Sequence, residues 1–511
     1  MKKHGKLLLK YLLLFVMTVF VMGCFSVSAA TKTGFVTQKG KTYYINKDGS
    51  KQKGWLELKG KKYYFDKKTG VQVKGWVKDS SGQAIRYFTS GAGYMVTGFI
   101  TDSNGNTRHF DETTGLMTRG WLTDTDEYKY YFYSGSGVMA KGWVENKKEQ
   151  KRYFSQANGR MCTGWVKSSA GNYRYFKPSN GIMYTGLEKI DSDYYYFSKS
   201  TGVRYQKGFG TVGSKKYYFN PSDGKAKTGW LELDGKKYYF DEKGVMLTDW
   251  QCVKEKAEPG DGTGISRFVY LGGKEKGMLK GQWFETTEKP WDTKAWSTAL
   301  NTQAVRKNNT DETALMKKDG SRWFYLENDG TPLFLSADAT GLKDGAVKLD
   351  GRYYFFDSYG VCQSGMIKFT SGGKTETAYF DPEAGGALSI GRNTNVVDKR
   401  DKVYTFCSGT SGSEKGCGIN GVKDGFLYYN GLLVSAKEGS SYEPFKVSGQ
   451  VYLVNEAGKV QTEEKKYSSD GNAAYTIENG KVFTLDENGE KKSAATGLSL
   501  PYASWKIQYQ R

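Results

Sequence analysis

The sequence predicts an all-β fold made of stacked β-hairpin repeats. Three observations lead to this prediction. A similar unit recurs about every 22 residues, each unit alternates apolar and polar side chains with the period of a strand, and the two halves of a unit flank a turn sequence. A unit this short cannot bury its own apolar face and must stack on its neighbours. We therefore expect an elongated array in which each hairpin contacts the next.

The repeat unit is clearest at residues 228–250, TGWLELDGKKYYFDEKGVMLTDW. At its centre stands Asp234-Gly235, a pair favoured by the two-residue type I′ turn. That turn sets the register of the hairpin, so that Trp230 faces Tyr239 across the two strands.

A near copy at residues 53–76 allows the two faces of the hairpin to be separated. The same register places Trp55 opposite Tyr64 and Glu57 opposite Lys62 on one face. The other face is apolar and predicts the core: Leu56, Leu58, Tyr63 and Phe65. An exposed Trp–Tyr pair is either the well-paired outer face of a sheet or a platform for a ligand. Because the pair recurs along the array, we interpret it as a series of ligand platforms.

The chain begins with a predicted secretory signal peptide at residues 1–30. Lysines precede an apolar run over residues 11–22, and a Ser-Ala-Ala cleavage site closes the segment. A lipoprotein modified at Cys24 is the alternative, because the residues before it loosely resemble a lipobox. We expect a secreted protein with no transmembrane segment in the mature chain.

The chain is strongly basic, with a formal charge of +21. Residues 1–30 hold four of the lysines and no Asp or Glu, so the remainder carries +17. Such a charge favours approach to polyanions, which for a secreted protein are anionic wall polymers or lipid headgroups. We predict no nucleic-acid partner.

Cysteine and histidine are too few for most site chemistries. Five cysteines follow residue 30, and an odd number argues against a disulfide framework. Cys407 and Cys417 are close enough in sequence for a local disulfide, and a bridge and two free thiols both stay open. No Cys-x-x-Cys pair occurs, and His109 is the single histidine after the signal peptide. We therefore predict no metal site and no cofactor.

Ten units follow one another in phase, with opening glycines from Gly34 to Gly229 at steps of 20 to 23 residues. An aromatic residue follows each opening glycine except at Leu187. Most second strands end in Tyr-Phe, and His109 takes the tyrosine position once. Several units close with a Gly-x-Met step, as at residues 137–139.

This pattern resembles the cell-wall-binding repeat family, which includes the choline-binding and glucan-binding repeats of Gram-positive surface proteins. Its motif is Gly-Trp, then a Trp-Tyr-Tyr-Leu cluster, then Gly-x-Met-x-Thr-Gly-Trp, and the resemblance covers residues 34–250. The resemblance implies a β-solenoid with ligand held between neighbouring units on the Gly-Trp and second-strand aromatics. Carried onto this sequence, the candidate ligand-binding residues are Trp55, Tyr64, Trp76, Trp121, Tyr131, Trp143, Tyr153, Trp165, Tyr175, Trp230, Tyr239 and Trp250.

The sequence departs from the choline-binding form at the first Trp of the second-strand cluster. Five units have lysine there: Lys62, Lys129, Lys151, Lys216 and Lys237. A quaternary ammonium needs several aromatic walls, so we predict that choline is not the preferred ligand of the first region, residues 31–250. Tyr173 and Tyr194 are expected exceptions in that region, and Trp323 is one further along the chain.

The domains predicted from these patterns are a cell-wall-binding repeat array at 31–258 and a divergent β-hairpin repeat region at 259–511. The second region contains a non-repetitive insert near 284–319, in which Thr293–Val305 predicts a short helix. A distinct all-β binding domain in its last part is the alternative.

The sequence predicts a secreted, wall-associated, non-catalytic carbohydrate-binding repeat protein that attaches non-covalently to a glucan, teichoic acid or related glycan. One histidine cannot supply a two-histidine zinc site, and no Ser or Cys has an evident catalytic partner. Three alternatives stay open. They are a surface adhesin whose region 259–511 binds a host or matrix protein, a choline-binding protein, and a cryptic glycosidase in 259–511, which would need only two carboxylates.

Overall fold

A computed structural model describes residues 32–294, 296, 320–469, 473–503, 505 and 507–510. The predicted signal peptide, Cys24 and the predicted helix beyond Trp296 lie outside these residues. Contacts divide the described chain into two compact units. The first unit comprises residues up to 186 together with 197–204, and the second comprises 187–196 together with the residues from 205 onward.

The described residues are almost entirely β-structure, as predicted. The α-helices Gly273–Lys276 and Leu342–Gly345 are each four residues long. Three short 3-10 helices lie at Ile265–Arg267, Pro290–Asp292 and Gly412–Glu414. None of the helices in the described part of the chain has the length and apolar character needed to cross a bilayer.

Consecutive strands of the first unit pair as antiparallel hairpins. The strands are β1 (Gly34–Gln38), β2 (Lys41–Ile45), β3 (Gly54–Leu58), β4 (Lys61–Phe65), β5 (Gly75–Lys78), β6 (Ile85–Phe88), β7 (Gly98–Thr101), β8 (Thr107–Phe110), β9 (Gly120–Thr123), β10 (Lys129–Phe132), β11 (Gly142–Glu145), β12 (Lys151–Phe154), β13 (Gly164–Lys167) and β14 (Tyr173–Phe176). The division between the units falls within the next hairpin, β15 (Gly186–Ile190) and β16 (Asp193–Phe197).

The predicted register of the hairpin is confirmed. Trp55 lies opposite Tyr64, and Glu57 lies opposite Lys62. The turn residue Lys59 has a φ of 47° and the glycine after it has a φ of 71°, so both adopt the left-handed conformation of a type I′ turn. The equivalent hairpin at Trp230 has the same register.

A column of phenylalanines forms the core of the repeats. The last residue of the second strand is at most 1% exposed at Phe65, Phe88, Phe110, Phe132, Phe154, Phe176, Phe197, Phe219 and Phe240. Neighbouring hairpins are also joined through the backbone, because the Met139 amide donates to the carbonyl of Thr107 in the preceding hairpin at 2.7 Å. Each hairpin thus completes the core of its neighbour, which is the stacking that the short repeat requires.

Glycine is needed where one hairpin packs on the methionine of the previous one. Gly137 has a φ of 64°, and a Cβ at this position would lie 2.5 Å from Met117 Sδ. The Gly-x-Met step therefore reflects a left-handed turn pressed against a thioether.

The second unit begins with further two-stranded hairpins. These are β17 (Gly208–Val212), β18 (Lys215–Phe219), β19 (Gly229–Leu233), β20 (Lys236–Phe240), β21 (Asp249–Cys252), β22 (Phe268–Leu271), β23 (Gln282–Thr286) and β24 (Arg322–Leu326). A three-stranded sheet follows: β25 (Ala346–Leu349), β26 (Arg352–Phe356) and β27 (Cys362–Gln363).

Wider sheets occupy the rest of the second unit. The first, in the order β30-β29-β28-β42, comprises β28 (Gly365–Ser371), β29 (Lys374–Asp381), β30 (Ala387–Leu388) and β42 (Ile507–Gln510). The second has five strands: β31 (Arg392–Val397), β32 (Val403–Cys407), β33 (Gly421–Lys423), β34 (Phe426–Tyr429) and β35 (Leu432–Leu433). A hairpin of β36 (Tyr442–Val447) and β37 (Gln450–Asn455) precedes the last sheet: β38 (Lys466–Ser469), β39 (Ala473–Glu478), β40 (Lys481–Leu485) and β41 (Lys491–Ala494).

These wider sheets differ from a simple continuation of the hairpin repeat. Strand β42 pairs in parallel with β28, which brings Ile507 opposite Ile367 over a long stretch of sequence. A hairpin repeat makes only local antiparallel pairs, so this parallel pairing is not one that the repeat pattern predicts. The boundary at 258 remains a prediction from the sequence pattern.

Candidate ligand-binding clefts

The predicted Trp–Tyr pairs form on the exposed face of the hairpins. The ring centroids of Trp55 and Tyr64 lie 5.0 Å apart, with their planes at 63°. The same contact recurs at 4.8–5.2 Å in Trp76–Tyr87, Trp121–Tyr131, Trp143–Tyr153, Trp165–Tyr175 and Trp230–Tyr239. The tryptophans of these pairs are 38–53% exposed, so a large part of each indole faces solvent.

Each of these indoles in the first unit also rests on the buried phenylalanine of the next hairpin. The ring centroids of Trp121 and Phe154 lie 6.0 Å apart, with planes at 38°. Equivalent contacts at 5.9–6.0 Å join Trp55–Phe88, Trp76–Phe110, Trp143–Phe176 and Trp165–Phe197. Because each phenylalanine is part of the core, the indole is held in place before any ligand binds, which lowers the entropy lost on binding.

An arginine from the following hairpin lies beside each of these indoles. Cζ of Arg152 lies 5.5 Å from the centroid of the Trp121 ring, within the range of a cation–π interaction. The same contact is made at 5.3–5.7 Å by Arg86 with Trp55, Arg108 with Trp76, Arg174 with Trp143 and Arg204 with Trp165. The protein therefore places its own cation between neighbouring hairpins, where the family resemblance places the ligand.

Backbone carbonyls hold these arginines in position. Nε of Arg152 donates to the carbonyl oxygen of Asn180 at 2.8 Å, in the turn of the hairpin after its own. The equivalent bonds run from Arg86 to Thr114 at 2.7 Å, Arg108 to Ser136 at 3.1 Å and Arg174 to Thr201 at 2.9 Å. Burial lowers the pKa of the Arg152 guanidinium, which nevertheless stays charged at neutral pH.

The lysine that replaces the cluster tryptophan lies next to the arginine. Lys129 Nζ donates to the carbonyl oxygen of Ser179 at 3.4 Å, and the next carbonyl along the chain accepts from Arg152. The hairpin at Trp55 repeats this arrangement, with Lys62 Nζ 3.3 Å from Thr113 O and Arg86 Nε bonded to Thr114 O. Two cations thus converge on consecutive carbonyls of one turn.

Two of these arrangements enclose shallow clefts. The cleft at Trp55 has a volume of about 530 Å³ and is lined by charged and apolar groups that include Glu57, Lys62, Arg86 and Met95. The cleft at Trp143 has a volume of about 410 Å³ and the corresponding residues are Glu145, Lys151, Arg174 and Met183. Two residues with hydroxyl side chains also line each cleft, Thr113 and Thr114 in the first and Ser200 and Thr201 in the second. An indole surrounded by charged and hydroxyl groups can stack on the apolar face of a sugar and bond its hydroxyls.

The hairpin at Trp76 has the arginine without the lysine. Ile85 occupies the lysine position, opposite Lys78. Arg108 Nη1 lies 2.9 Å from Asp102 Oδ2, so an ion pair compensates its charge. This hairpin is an internal contrast for the role of the Lys–Arg pair.

The arginine was not anticipated from the sequence, although a signal for it is present. Where a hairpin opens with Gly-Phe, the next hairpin supplies a tyrosine in place of arginine: Phe35 contacts Tyr63, Phe99 contacts Tyr130 and Phe209 contacts Tyr238, with centroids 5.0–5.1 Å apart. The residue two positions before the buried phenylalanine of the next hairpin is thus a tyrosine where the opening aromatic is phenylalanine. It is an arginine after Trp55, Trp76, Trp121 and Trp143. After Trp165 that position holds Tyr195, and Arg204 provides the guanidinium instead.

The cage expected at Tyr173 is filled by the protein itself. Cζ of Arg204 lies 4.5 Å from the centroid of the Tyr173 ring and 5.3 Å from that of Trp165. A guanidinium between the two rings takes the position that a quaternary ammonium would need. Tyr194 likewise has Lys189 Nζ 5.7 Å from its ring centroid.

Trp250 does not belong among the exposed platforms, and the prediction that it binds ligand is corrected. Its side chain is 1% exposed and packs in a core cluster with Phe268 and Phe324. Nε1 of Trp250 donates to the carbonyl oxygen of Glu288 at 3.3 Å. The residues that follow the repeat array fold over this indole, which the repeat pattern alone could not show.

One hairpin of the second unit brings several aromatic rings together. The centroid of the Trp283 ring lies 6.2 Å from that of Trp323 and 4.8 Å from that of Tyr354. Trp283 also stacks at 5.8 Å on the buried ring of Phe356, as the first-unit indoles do on theirs. Trp323 and Tyr354 therefore occupy the positions that correspond to Lys62 and Arg86 in the arrangement at Trp55.

His109 lies in a repeat, where it contacts Thr118 and Phe99. Its Nδ1 is 2.7 Å from Thr118 Oγ1, and its ring packs edge-on against Phe99 at 4.8 Å. Burial lowers the pKa of the imidazole, which favours the neutral form. Among the residues that the structure describes, no group of three or more His, Cys, Asp or Glu side chains is arranged to hold a metal ion.

All five described cysteines are free thiols, including Cys407 and Cys417, for which the sequence left both states open. Burial raises the pKa of both thiols, which disfavours the reactive thiolate.

The choline-binding repeat family model matches four stretches of the chain, residues 32–70, 57–98, 148–186 and 206–249. These matches include the pairs at Trp55, Trp76, Trp165 and Trp230, whereas residues 99–147, with Trp121 and Trp143, lie outside them. The repeats at residues 32–98, 148–186 and 206–249 therefore match the choline-binding repeat family, in agreement with the motifs.

Similar proteins come from streptococci. The chain is 25% identical over 269 residues to glucosyltransferase-S of Streptococcus mutans serotype c. The aligned stretch is 50% of this chain and 15% of that protein. The chain thus spans a small part of the length of this curated relative. Among solved structures it is similar to choline binding protein F from Streptococcus pneumoniae, with 24% identity, 42% of this chain and 94% of that chain covered, and a TM-score of 0.30. CbpJ from Streptococcus pneumoniae TIGR4 is 22% identical, with 64% and 99% covered and a TM-score of 0.32.

Proposed function

We propose that the protein is a secreted, wall-associated binding protein that holds a wall polymer or glucan non-covalently and catalyses no reaction. The observation that supports this proposal most is the row of exposed indoles that begins at Trp55. Each is paired with a tyrosine of its own hairpin and rests on a buried phenylalanine of the next. A rigid aromatic platform of this kind suits the apolar face of a sugar ring.

Binding is proposed to be multivalent. Each cleft is shallow and open, so a single cleft holds a sugar weakly. The clefts are repeated along one chain, and a polymer bound at one of them meets the next at high effective concentration. The match to choline-binding repeats supports a wall-attached ligand for such an array.

Choline is a poor ligand for the first unit on this account. At Trp121 the positions of two further aromatic walls hold Lys129 and Arg152, which repel a quaternary ammonium. A second candidate function, choline binding in the second unit, is favoured by the ring cluster of Trp283, Trp323 and Tyr354. That cluster offers a cation three aromatic faces.

The experiment that tests the proposed function is sedimentation of the purified protein with purified Gram-positive walls. We expect the protein to sediment with walls and to be released by soluble glucan. A variant with Trp55→Ala, Trp121→Ala, Trp143→Ala and Trp165→Ala together should stay in the supernatant. Tyr502→Ala is the matched control, because Tyr502 is 75% exposed in the second unit.

Two outcomes would contradict the proposal. Full sedimentation of the fourfold tryptophan variant would move wall binding to the second unit and favour the adhesin alternative. Release of reducing sugar from walls or glucan, abolished by one Asp or Glu substitution, would show a glycosidase.

A further inference from the structure

Three sites of the first unit combine an exposed indole with a lysine and an arginine. They lie at Trp55 with Lys62 and Arg86, at Trp121 with Lys129 and Arg152, and at Trp143 with Lys151 and Arg174. In the first two, both cations bond consecutive carbonyls of the same turn, so their positions are fixed by the backbone. A fixed pair of cations is a stronger site for an anion than two mobile lysines, because little side-chain entropy is lost on binding.

The arginines keep donors that the protein does not use. Only Nε of Arg152 is engaged, by the carbonyl of Asn180, and its Nη groups make no hydrogen bond to any part of the chain that the structure describes. A guanidinium has five N–H donors arranged as a fork that matches the oxygens of a carboxylate or phosphate. The indole beside it removes water from one side, which strengthens its attraction for a charged oxygen.

The charge around the Lys–Arg pair differs among the three sites. Lys62 faces Glu57 across the hairpin, and Lys151 Nζ lies 3.8 Å from Glu145 Oε2, so a carboxylate partly offsets the lysine in those clefts. Lys129 faces Thr123 instead. The site at Trp121 therefore keeps two cations that form no ion pair within the described part of the chain. The hairpin at Trp76 has the opposite character, since it lacks the lysine and pairs Arg108 with Asp102.

We propose that these Lys–Arg sites bind the anionic oxygen groups of a charged wall polymer, with the site at Trp121 the strongest. The inference rests on the proposed function and names the chemistry of the ligand. The group bound is an oxyanion, a phosphodiester or a carboxylate, attached to a sugar or polyol that contacts the indole. Neutral glucan contacts the same indoles and does not engage the cations.

The test is calorimetric titration of the purified protein with three polymers: a polyglycerol phosphate, a polygalacturonate and a neutral dextran. The Lys129→Gln/Arg152→Gln variant should bind the anionic polymer about tenfold more weakly, the loss expected for charge-assisted hydrogen bonds, and should bind dextran as the wild type does. A preference for the phosphate polymer identifies a phosphodiester as the bound group, and a preference for polygalacturonate identifies a carboxylate.

Two further variants separate a built site from general basic charge. Lys147→Gln/Lys148→Gln removes the same charge from exposed turn lysines and should leave the affinity for the anionic polymer within about twofold. Arg152→Lys keeps the charge but loses the fork, and should weaken binding several-fold. Equal loss in the turn variant, or full affinity in Lys129→Gln/Arg152→Gln, would overturn the inference.

Wall sedimentation distinguishes this inference from the proposed function. If the wild type sediments with walls yet binds neither anionic polymer, the inference fails and the proposed function stands. If the wild type does not sediment with walls, the proposed function itself fails.

Discussion

The guanidinium carbon of Arg152 lies 5.5 Å from the centre of the Trp121 ring, and the arginine belongs to the hairpin after that of the tryptophan. An interaction between consecutive hairpins thus occupies one side of each exposed indole in the first unit. The remaining exposed surface is bordered by hydroxyl, charged and thioether groups. This relationship separates the first unit from a simple series of aromatic cages and gives rise to the first prediction.

A quaternary ammonium should be bound in the second unit only. We expect the protein to be retained on a choline-mimicking amine resin. Trp323→Lys should abolish retention, because Trp323 lies opposite Glu285 and the substitution puts a lysine there, as Lys62 lies opposite Glu57 in the first unit. Trp121→Ala should be retained as the wild type is. In the Trp323→Lys background, Lys62→Trp with Arg86→Tyr should build a cage at Trp55 and recover retention. Loss of retention in Trp121→Ala alone would contradict this distribution.

The stability of the first unit should depend on the phenylalanine column far more than on the exposed indoles. Phe132 is 0% exposed, so Phe132→Ala should lower the free energy of unfolding by about 3–5 kcal/mol. Trp121 is 50% exposed, and Trp121→Ala should cost about 1 kcal/mol, the scale of an aromatic contact. Urea denaturation of both variants tests this, and an equal loss in the two would show that the indoles are part of the core.

The Gly-x-Met step should be sensitive at one glycine and tolerant at another two residues away. Gly137→Ala puts a Cβ 2.5 Å from Met117 Sδ at a φ of 64°, so we expect a loss of more than about 1 kcal/mol in the free energy of unfolding. Gly135 has no atom within 4 Å of the added Cβ, which makes Gly135→Ala the matched control. Thermal unfolding of both variants measures the difference. A harmless Gly137→Ala would mean that the turn can move away from the methionine.

His109 should make the first unit weakly sensitive to mild acid. Burial lowers its pKa in the folded state, so the unfolded state binds a proton first as the pH falls below about 6.5. Stability is therefore full above that pH and falls below it. His109→Tyr, which restores the residue found in neighbouring hairpins, should reduce the loss of melting temperature between pH 7.5 and pH 5.5. An unchanged difference would assign the acid sensitivity to other groups.

Much of the hairpin repeat follows directly from the sequence. The turn pair at Asp234 and the two-residue period fix the register, and the register fixes which residues face outward, as Trp230 and Tyr239 confirm. What the sequence could not give is a contact between hairpins that depends on the stacking distance. Arg152 contacts Trp121 because consecutive hairpins stack closely. The sequence of one hairpin does not determine the distance to the next.

Long-range packing explains the other differences. Trp250 matches the repeat pattern, yet distant residues such as Phe324 enclose it. Likewise, the pairing of β42 with β28 joins segments more than a hundred residues apart, which no local pattern encodes. Prediction was therefore most successful where contacts are local.

The most direct test of the central claim is a dissociation constant for purified walls measured as four of the five exposed tryptophans of the first unit are removed one at a time. The series is Trp121→Ala, then the addition of Trp143→Ala, Trp165→Ala and Trp55→Ala, with Tyr502→Ala as the control. A multivalent array predicts that each step weakens binding by a further factor, and that the fourfold variant is close to unbound. An affinity that stays at the wild-type value through the fourfold variant would contradict the account.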